Sequence, residues 1–362
     1  MAEGKISSAN YTDMTNQVEN YESDASTSTS EIEFQDTEWD TNFGIYNDVP
    51  LLKALIDRKA IWTVGKGFKV KNAKQKSRLD KIRGNGFDTF NIILQNAVRV
   101  YTISEAGFFA EIMKTKQGEL LNLKPLNPSM MKIIADAKGI IIRFEQWDTT
   151  SKLHEWKPED MFFLPYNRIA DSIHGQSTVK RLKTATEAYK EAKGDMRTLF
   201  HRYVKPLIIS IVDTDDTTEI AEYKQKLDKS VALGENMVVP KGTLDSMEKI
   251  SIPEHSTLDP LPWIAHLERE FLIAEGVPAV LVGSGEARDT EAEAKVLYLA
   301  FQQLIEWNQM FIEEQCKAQL GIEIELEFPA SLEPDVQENE SKSRDMNNQE
   351  QGIGKSNGGT KK

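Results

Sequence analysis

Apolar spacing along this chain changes period twice, and this limits the fold more than any single motif does. Asp88 can cap a helix running to about Ile103, with Phe90, Ile93, Leu94, Ala97 and Val98 on one side. The pattern then shortens to apolar or alternating runs at 108–113, 120–123, 130–134, 139–147 and 156–164. Gly118, Asn127-Pro128 and Lys138-Gly139 punctuate them, which predicts strands. Ser177 opens a long helical stretch to about Val204, which Pro206 stops. At 1.5 Å per residue it would span roughly 40 Å.

The flanking sequence extends this α+β pattern. Val49, Leu52, Leu55, Ile56 and Ala60 predict a helix over 48–62, and a basic stretch runs from Lys66 to Arg83. After Pro206 come a strand at 207–212, a helix at 217–231, and strands near 236–239 and 247–252. A helix at about 261–276 leads to a Gly-rich loop. Thr290 with Glu293 forms a capping box, and a second long helix runs to about Leu320 with Leu297, Phe301, Leu304, Ile305, Phe311 and Ile312 as its stripe. Residues 322–328 alternate as a final strand.

Residues 1–42 are rich in Ser, Thr, Asn, Asp and Glu, and residues 331–362 end in Lys-Ser-Asn-Gly-Gly-Thr-Lys-Lys. Both tails are expected to be disordered, because neither can bury enough apolar area to offset its ordering entropy. The tails also hold most of the net charge. Of a net charge of −13, residues 1–40 contribute ten acidic residues against Lys5. Residues 331–362 contribute six acidic against five basic, leaving about −3 for the body. A DNA clamp shows a basic excess, so tight DNA binding is disfavoured, whereas passing DNA without gripping it is not.

The polar N-terminus is expected to carry no secretory leader. The apolar runs 139–142 and 278–282 fall far short of the ~18–20 residues of a membrane span. Cys316, the single cysteine, cannot form an intrachain disulfide or anchor a cysteine metal site.

Catalytic motifs fail on inspection. His154, His174, His201, His255 and His266 show no metal-ligand spacing. Gly354-Lys355-Ser356 lacks the upstream glycine of a phosphate loop, since position 349 is Gln349. Gly65-Lys66-Gly67 has Val70 where a dinucleotide fingerprint needs glycine. Gly175-Gln176-Ser177 has Val179 where a nucleophile elbow closes with glycine, so Ser177 reads as a helix cap. Asp213, Asp215 and Asp216 lack the glycine and distal Glu of a calcium loop and read as a solvated turn. No cofactor, metal or catalytic residue is expected. Lys180, Arg181, Lys183, Lys190, Lys193, Arg197, Arg202 and Lys205 make the first long helix basic, opposed by Glu187, Glu191 and Asp195. This is either a solvated face or a contact for an acidic surface such as DNA phosphates.

Four segments in order resemble the portal proteins of tailed double-stranded DNA viruses, the HK97-like and SPP1-like group. They are Ser104-Glu105-Ala106-Gly107-Phe108-Phe109-Ala110-Glu111-Ile112 with Gly118 and Leu123-Lys124-Pro125-Leu126-Asn127-Pro128; Trp156-Lys157-Pro158-Glu159-Asp160; Ile173-His174-Gly175-Gln176-Ser177; and Phe271-Leu272-Ile273-Ala274-Glu275-Gly276-Val277-Pro278. The resemblance implies a β-rich wing at 43–176, stem helices at 177–204 and 259–279, and a small αβ clip at 205–258 between them. A tunnel loop at 280–290 and a long wing helix with returning strand at 291–330 would follow. The helical crown of the family would be absent or reduced.

The implied role is a ring, of about twelve copies, at one capsid vertex of the virion. DNA would pass through it during packaging and ejection. Partners implied are further copies of the chain, double-stranded DNA bound transiently without sequence preference, the terminase large subunit, the major capsid protein and a head-tail adaptor. Assembly would occur in the host cytoplasm, without a membrane. Gly283, Ser284, Gly285, Glu286, Ala287, Arg288 and Asp289 would face the DNA. Lys180, Lys183, Lys190, Lys193 and Arg197 are candidate stem contacts, and Asp213, Asp215, Asp216, Lys241 and Lys249 candidate clip contacts. The competing readings are a non-ring structural adaptor of a virion and a soluble hydrolase or nuclease with a dispersed site.

Overall fold

The computed structural model describes residues 31–204, 207–212, 214–233, 244–250, 260–283 and 291–329. The described residues divide into two compact units: those within 31–44, 56–180 and 295–329 form one, and those within 45–55 and 181–283 with 291–294 the other.

In the first unit, strands β1 (Ile32–Gln35), β5 (Met131–Ala135), β6 (Ile141–Trp147) and β7 (Lys152–Trp156) form an antiparallel sheet in the order β1-β5-β6-β7. A second sheet orders β4 (Leu120–Pro125), β3 (Phe108–Lys114) and β8 (Met161–Leu164) as β4-β3-β8. Helix α4 (Phe90–Ile103) buries Phe90, Ile93, Leu94, Ala97 and Val98, the stripe its spacing predicts, and Tyr101 as well.

Alternation along β3 and β8 explains their near-continuous apolar runs. Phe108, Ala110, Ile112, Phe162 and Leu164 enter a core shared with α4, Ile312 and Cys316. Phe109, Met161 and Phe163 enter a second core with Met131, Ile133 and Phe144. The three-stranded sheet is therefore buried on both faces, and such strands lose the polar half of their alternation.

Several expectations are corrected. Residues 31–42 belong to the fold and not to a tail, because β1 pairs with β5 and α1 (Trp39–Asp48) follows it. The helix expected over 48–62 starts later, as α2 (Pro50–Val64), with the proline at a first-turn position where its missing N–H costs nothing. Thr89 caps α4 in place of Asp88: its hydroxyl accepts from the Ile92 N–H at 3.4 Å, while the Asp88 carboxylate takes the Asn85 N–H. The run 156–164 is not one strand. Pro158 opens a 3-10 turn (Pro158–Asp160) that separates β7 from β8, and the two strands join different sheets.

The closing strand shrinks to β11 (Glu325–Leu326), paired with β2 (Phe68–Lys69). Helix α10 (Glu291–Gln315) gives way to a π turn, Cys316–Leu320, closed by Gly321 at φ 66°. Thr290 of the expected capping box and the strand near 236–239 lie outside the described residues.

Opposite Phe144, β6 presents Arg143, Glu145 and Trp147. Glu145 is buried and accepts from Arg143 Nε at 2.7 Å, Trp147 Nε1 at 2.8 Å and Lys152 Nζ at 3.4 Å. Burial pushes its carboxyl up, but the three hydrogen bonds outweigh this and hold it below the ordinary carboxylate range. A depressed carboxyl stabilises the fold above its unfolded pKa and loses that contribution as pH falls through the folded one. Glu145→Gln is therefore expected to cost about 1–2 kcal/mol at neutral pH. The gap between variant and wild type should narrow below the ordinary carboxylate range, as followed by thermal unfolding against pH.

In the second unit, α6 (Lys183–Val204) packs against α8 (Pro260–Glu275). The stretch expected as one helix from Ser177 breaks at Leu182 into α5 (Thr178–Arg181) and α6. The Tyr189 ring meets Phe271 edge-on at 5.4 Å, and its hydroxyl donates to Glu268 Oε1 at 2.8 Å. Burial, then the Glu268 carboxylate, push the Tyr189 phenol up. Strand β9 (Leu207–Val212) pairs antiparallel with β10 (Leu244–Ile250), and α7 (Thr217–Leu233) lies between them in sequence.

Candidate functional site

Two of the sequence motifs meet in one buried polar junction of the first unit. Ser177 caps the start of α5 by accepting from the Lys180 N–H at 3.1 Å. The same hydroxyl donates to the Ile103 carbonyl at 2.6 Å, an otherwise free acceptor at the end of α4. Gly175 lets this turn form: a Cβ there would sit 2.6 Å from the Tyr166 carbonyl oxygen and 2.8 Å from its nitrogen. Glu105 holds Lys180 Nζ with both carboxylate oxygens, at 3.0 and 3.2 Å.

Asp36 completes the junction. It is 1% exposed. Its Oδ2 accepts from Ser104 Oγ at 2.7 Å and from the Glu105 N–H at 2.8 Å, and its Oδ1 from the Glu38 N–H at 3.1 Å. Ser104 Oγ in turn accepts from the Ala106 and Gly107 N–H groups. Sequence reasoning assigned Asp36 to the tail. The readable signal was the alternation Ile32-Glu33-Phe34-Gln35 just before it.

The candidate stem cations are mostly engaged. Lys180 pairs with Glu105, and Lys190 with Asp48 at 2.9 Å. Lys193 Nζ stands 4.3 Å over the Tyr189 ring. Lys183 has interactions of its own, and Arg197 is exposed on α6. Of the clip candidates, Asp216 accepts from the Thr218 N–H at 2.8 Å and so caps α7, while Asp215 is exposed. Lys249 lies in β10 opposite Ile208. Asp213 and Lys241 lie outside the described residues, as do Ser284, Gly285, Glu286, Ala287, Arg288 and Asp289 of the expected tunnel loop. Gly283, its first residue, ends α9 (Ala279–Val282) at φ 74°, a left-handed helix stop.

The remaining reactive residues are placed structurally. His174 stacks on Phe34 at 3.8 Å, His154 lies 5.6 Å from Trp156, and His266 meets Glu270 at 3.5 Å. Cys316 is fully buried, which pushes its thiol well up. Among the described residues no cluster of His, Cys, Asp and Glu could hold a metal, and no helix is long and apolar enough to cross a membrane.

No protein-family model matches the sequence, and no curated protein matches it. Solved structures do. A chain in the neck of a native gene transfer agent particle, computed with C12 symmetry, superposes with a TM-score of 0.65 at 15% identity over 88% of this chain and 92% of that one. A chain in the virion of the native gene transfer agent particle gives 0.62 at 16%, over 89% and 91%. An HK97-family phage portal protein from Corynebacterium diphtheriae gives 0.50 at 8%, over 78% and 95%.

The chain thus has the fold of a particle-neck subunit, mixed in helix and sheet. More narrowly, that fold is the one seen in an HK97-family portal protein.

Proposed function

We propose that this chain is a portal-type subunit that assembles into a ring of about twelve copies at a capsid vertex. The ring is the channel through which double-stranded DNA is packaged and later ejected. The observation that carries this reading is the likeness to a chain of a C12-symmetric particle neck, which spans about nine-tenths of both chains. In this role the terminase large subunit docks first and a head-tail adaptor later, on the segment 205–258. The major capsid protein surrounds the ring. Assembly takes place in the host cytoplasm, and the product is part of the virion.

The state of the basic side chains supports a passage over a clamp. Every Lys or Arg released to meet a phosphate adds affinity and slows DNA movement. Lys180 and Lys190 are paired with Glu105 and Asp48, and Lys193 stands over the Tyr189 ring, so each would have to give up that contact to meet a phosphate.

Negative-stain imaging of the purified chain tests the ring. Closed rings are expected, and a monomer at high concentration would reject the reading. The segment 283–289 is proposed to contact DNA during packaging, on the strength of its glycines and its position between helices. Gly285→Pro should leave rings intact yet reduce packaged DNA by about tenfold or more, because it removes conformations the loop needs. Normal packaging by that variant would remove the loop from the mechanism.

A further inference from the structure

The loop 83–88 is held rigidly and offers a single apolar side chain to solvent. Asn122 Oδ1 accepts from the Arg83 and Gly84 N–H groups, both at 3.0 Å, and its Nδ2 donates to the Gly84 carbonyl at 2.9 Å. The Arg83 carbonyl accepts from the Gly86 N–H at 2.7 Å and the Asp88 N–H at 3.0 Å. Arg83 Nη1 donates to the Asp80 and Ile82 carbonyls at 2.7 and 2.8 Å. Gly84 and Gly86 sit at φ 53° and 129°, where larger residues are strained. At the tip, Phe87 is 98% exposed, more than any other large apolar residue among those described.

A lone exposed apolar residue is ordinary on a protein surface; what sets Phe87 apart is that a hydrogen-bonded turn presents the whole ring. The subunit gains nothing from it in isolation. Because the loop is already ordered, burying the ring on association would cost little conformational entropy. Strand β3 ends near the brace: the Met113 sulfur, on a residue 39% exposed, lies 3.9 Å from Asn122 Nδ2.

We infer that Phe87 is an interface anchor that inserts into the adjacent copy of this chain in the ring. The inference rests on the ring reading above. Cyclic assemblies join two different faces of each subunit, so a projection on one face meets a hollow on the next copy and needs no second projection to match it. The likeness to a C12-symmetric neck chain covers 88% of this chain, so a neighbouring copy is the occupant the fold itself supplies.

Assembly of the purified full chain, followed by mass photometry across concentration, tests this. Phe87→Ser should raise the concentration needed for half-assembly roughly ten- to hundredfold, the factor expected for one phenylalanine lost from an interface. Phe87→Asp should raise it further, and Phe87→Leu should restore most of the assembly. The thermal midpoint of the dissociated subunit should not change. A second measurement uses the buried, unreactive Cys316. The thiol of Phe87→Cys is then the only accessible one among the described residues, and a maleimide should label it about tenfold more slowly in rings than in dissociated subunits.

Unchanged half-assembly in both Ser and Asp variants, or equal labelling in rings and subunits, would overturn the inference. That holds also if such a variant lost a different virion partner, for the occupant would then be that partner. A lowered midpoint in the isolated subunit would place Phe87 in the subunit's own fold and overturn it equally. Wild-type chain that forms no rings would reject the ring reading itself, before any variant is compared.

Discussion

Replacing Asp36 with alanine is expected to destabilise the first unit by about 3 kcal/mol, or roughly 6–12 °C in thermal midpoint for a unit of this size. The carboxylate is 1% exposed and receives three donors, from Ser104, Glu105 and Glu38. Alanine leaves the Ser104 hydroxyl and the Glu105 N–H without that acceptor, at a depth where water does not replace it easily. The loss should spread to the segment 104–107, because Ser104 Oγ is itself held by Asp36 while it accepts from Ala106 and Gly107. A pair of truncations makes the same point without a point mutation. The chain lacking residues 2–30 supplies the reference midpoint. Removing 2–42 should lower it by more than Asp36→Ala does, because β1 and its pairing with β5 go as well. Equal midpoints for the two truncations would show that 31–42 contribute nothing to the fold.

The second large effect belongs to Gly175. Its Cβ position lies 2.6 and 2.8 Å from backbone atoms of Tyr166, and backbone cannot rotate aside as a long side chain can. The same turn carries the Gln176 N–H to the Tyr166 carbonyl at 2.9 Å and the Gly175 N–H to the Ala106 carbonyl at 3.3 Å. Tyr166 in turn stacks on buried Tyr101 at 4.4 Å, so a shift there would disturb the core. Gly175→Ala is expected to cost about 2–4 kcal/mol, and Gly175→Val more. Gly194, exposed within α6 with nothing near its Cβ position, is the natural control. There Gly→Ala should stabilise by about 0.5–1 kcal/mol, through helix propensity alone. Urea unfolding of both variants checks the contrast in sign.

These two residues also mark the limit of the sequence. Gly175 and Ser177 stood out as part of an ordered set of motifs, and Ser177 was readable as a cap because its hydroxyl serves an N–H three residues on. Its second bond, to the Ile103 carbonyl at the end of α4, was not readable, because the two residues lie 74 positions apart. Asp36 looked like one more acid in a polar run. The alternation before it marks a strand, but does not say that Asp36 is buried while Asp40 is exposed. Only the arrival of Ser104 and Glu105 makes it a buried acceptor.

The amino-acid sequence by itself determined the α+β class, the helix 90–103 and the positions of most strands between 108 and 164. Burial repeats every 3.6 residues on a helix and every two on a half-buried strand, so one-sided elements leave a local mark. Tertiary structure alone decided that β1 joins β5, that β7 and β8 go to different sheets, and that β3 is covered on both faces. A strand's partner, and the depth of a carboxylate, depend on residues far along the chain. Their free energy comes from surface and hydrogen bonds that exist only once those distant segments have met.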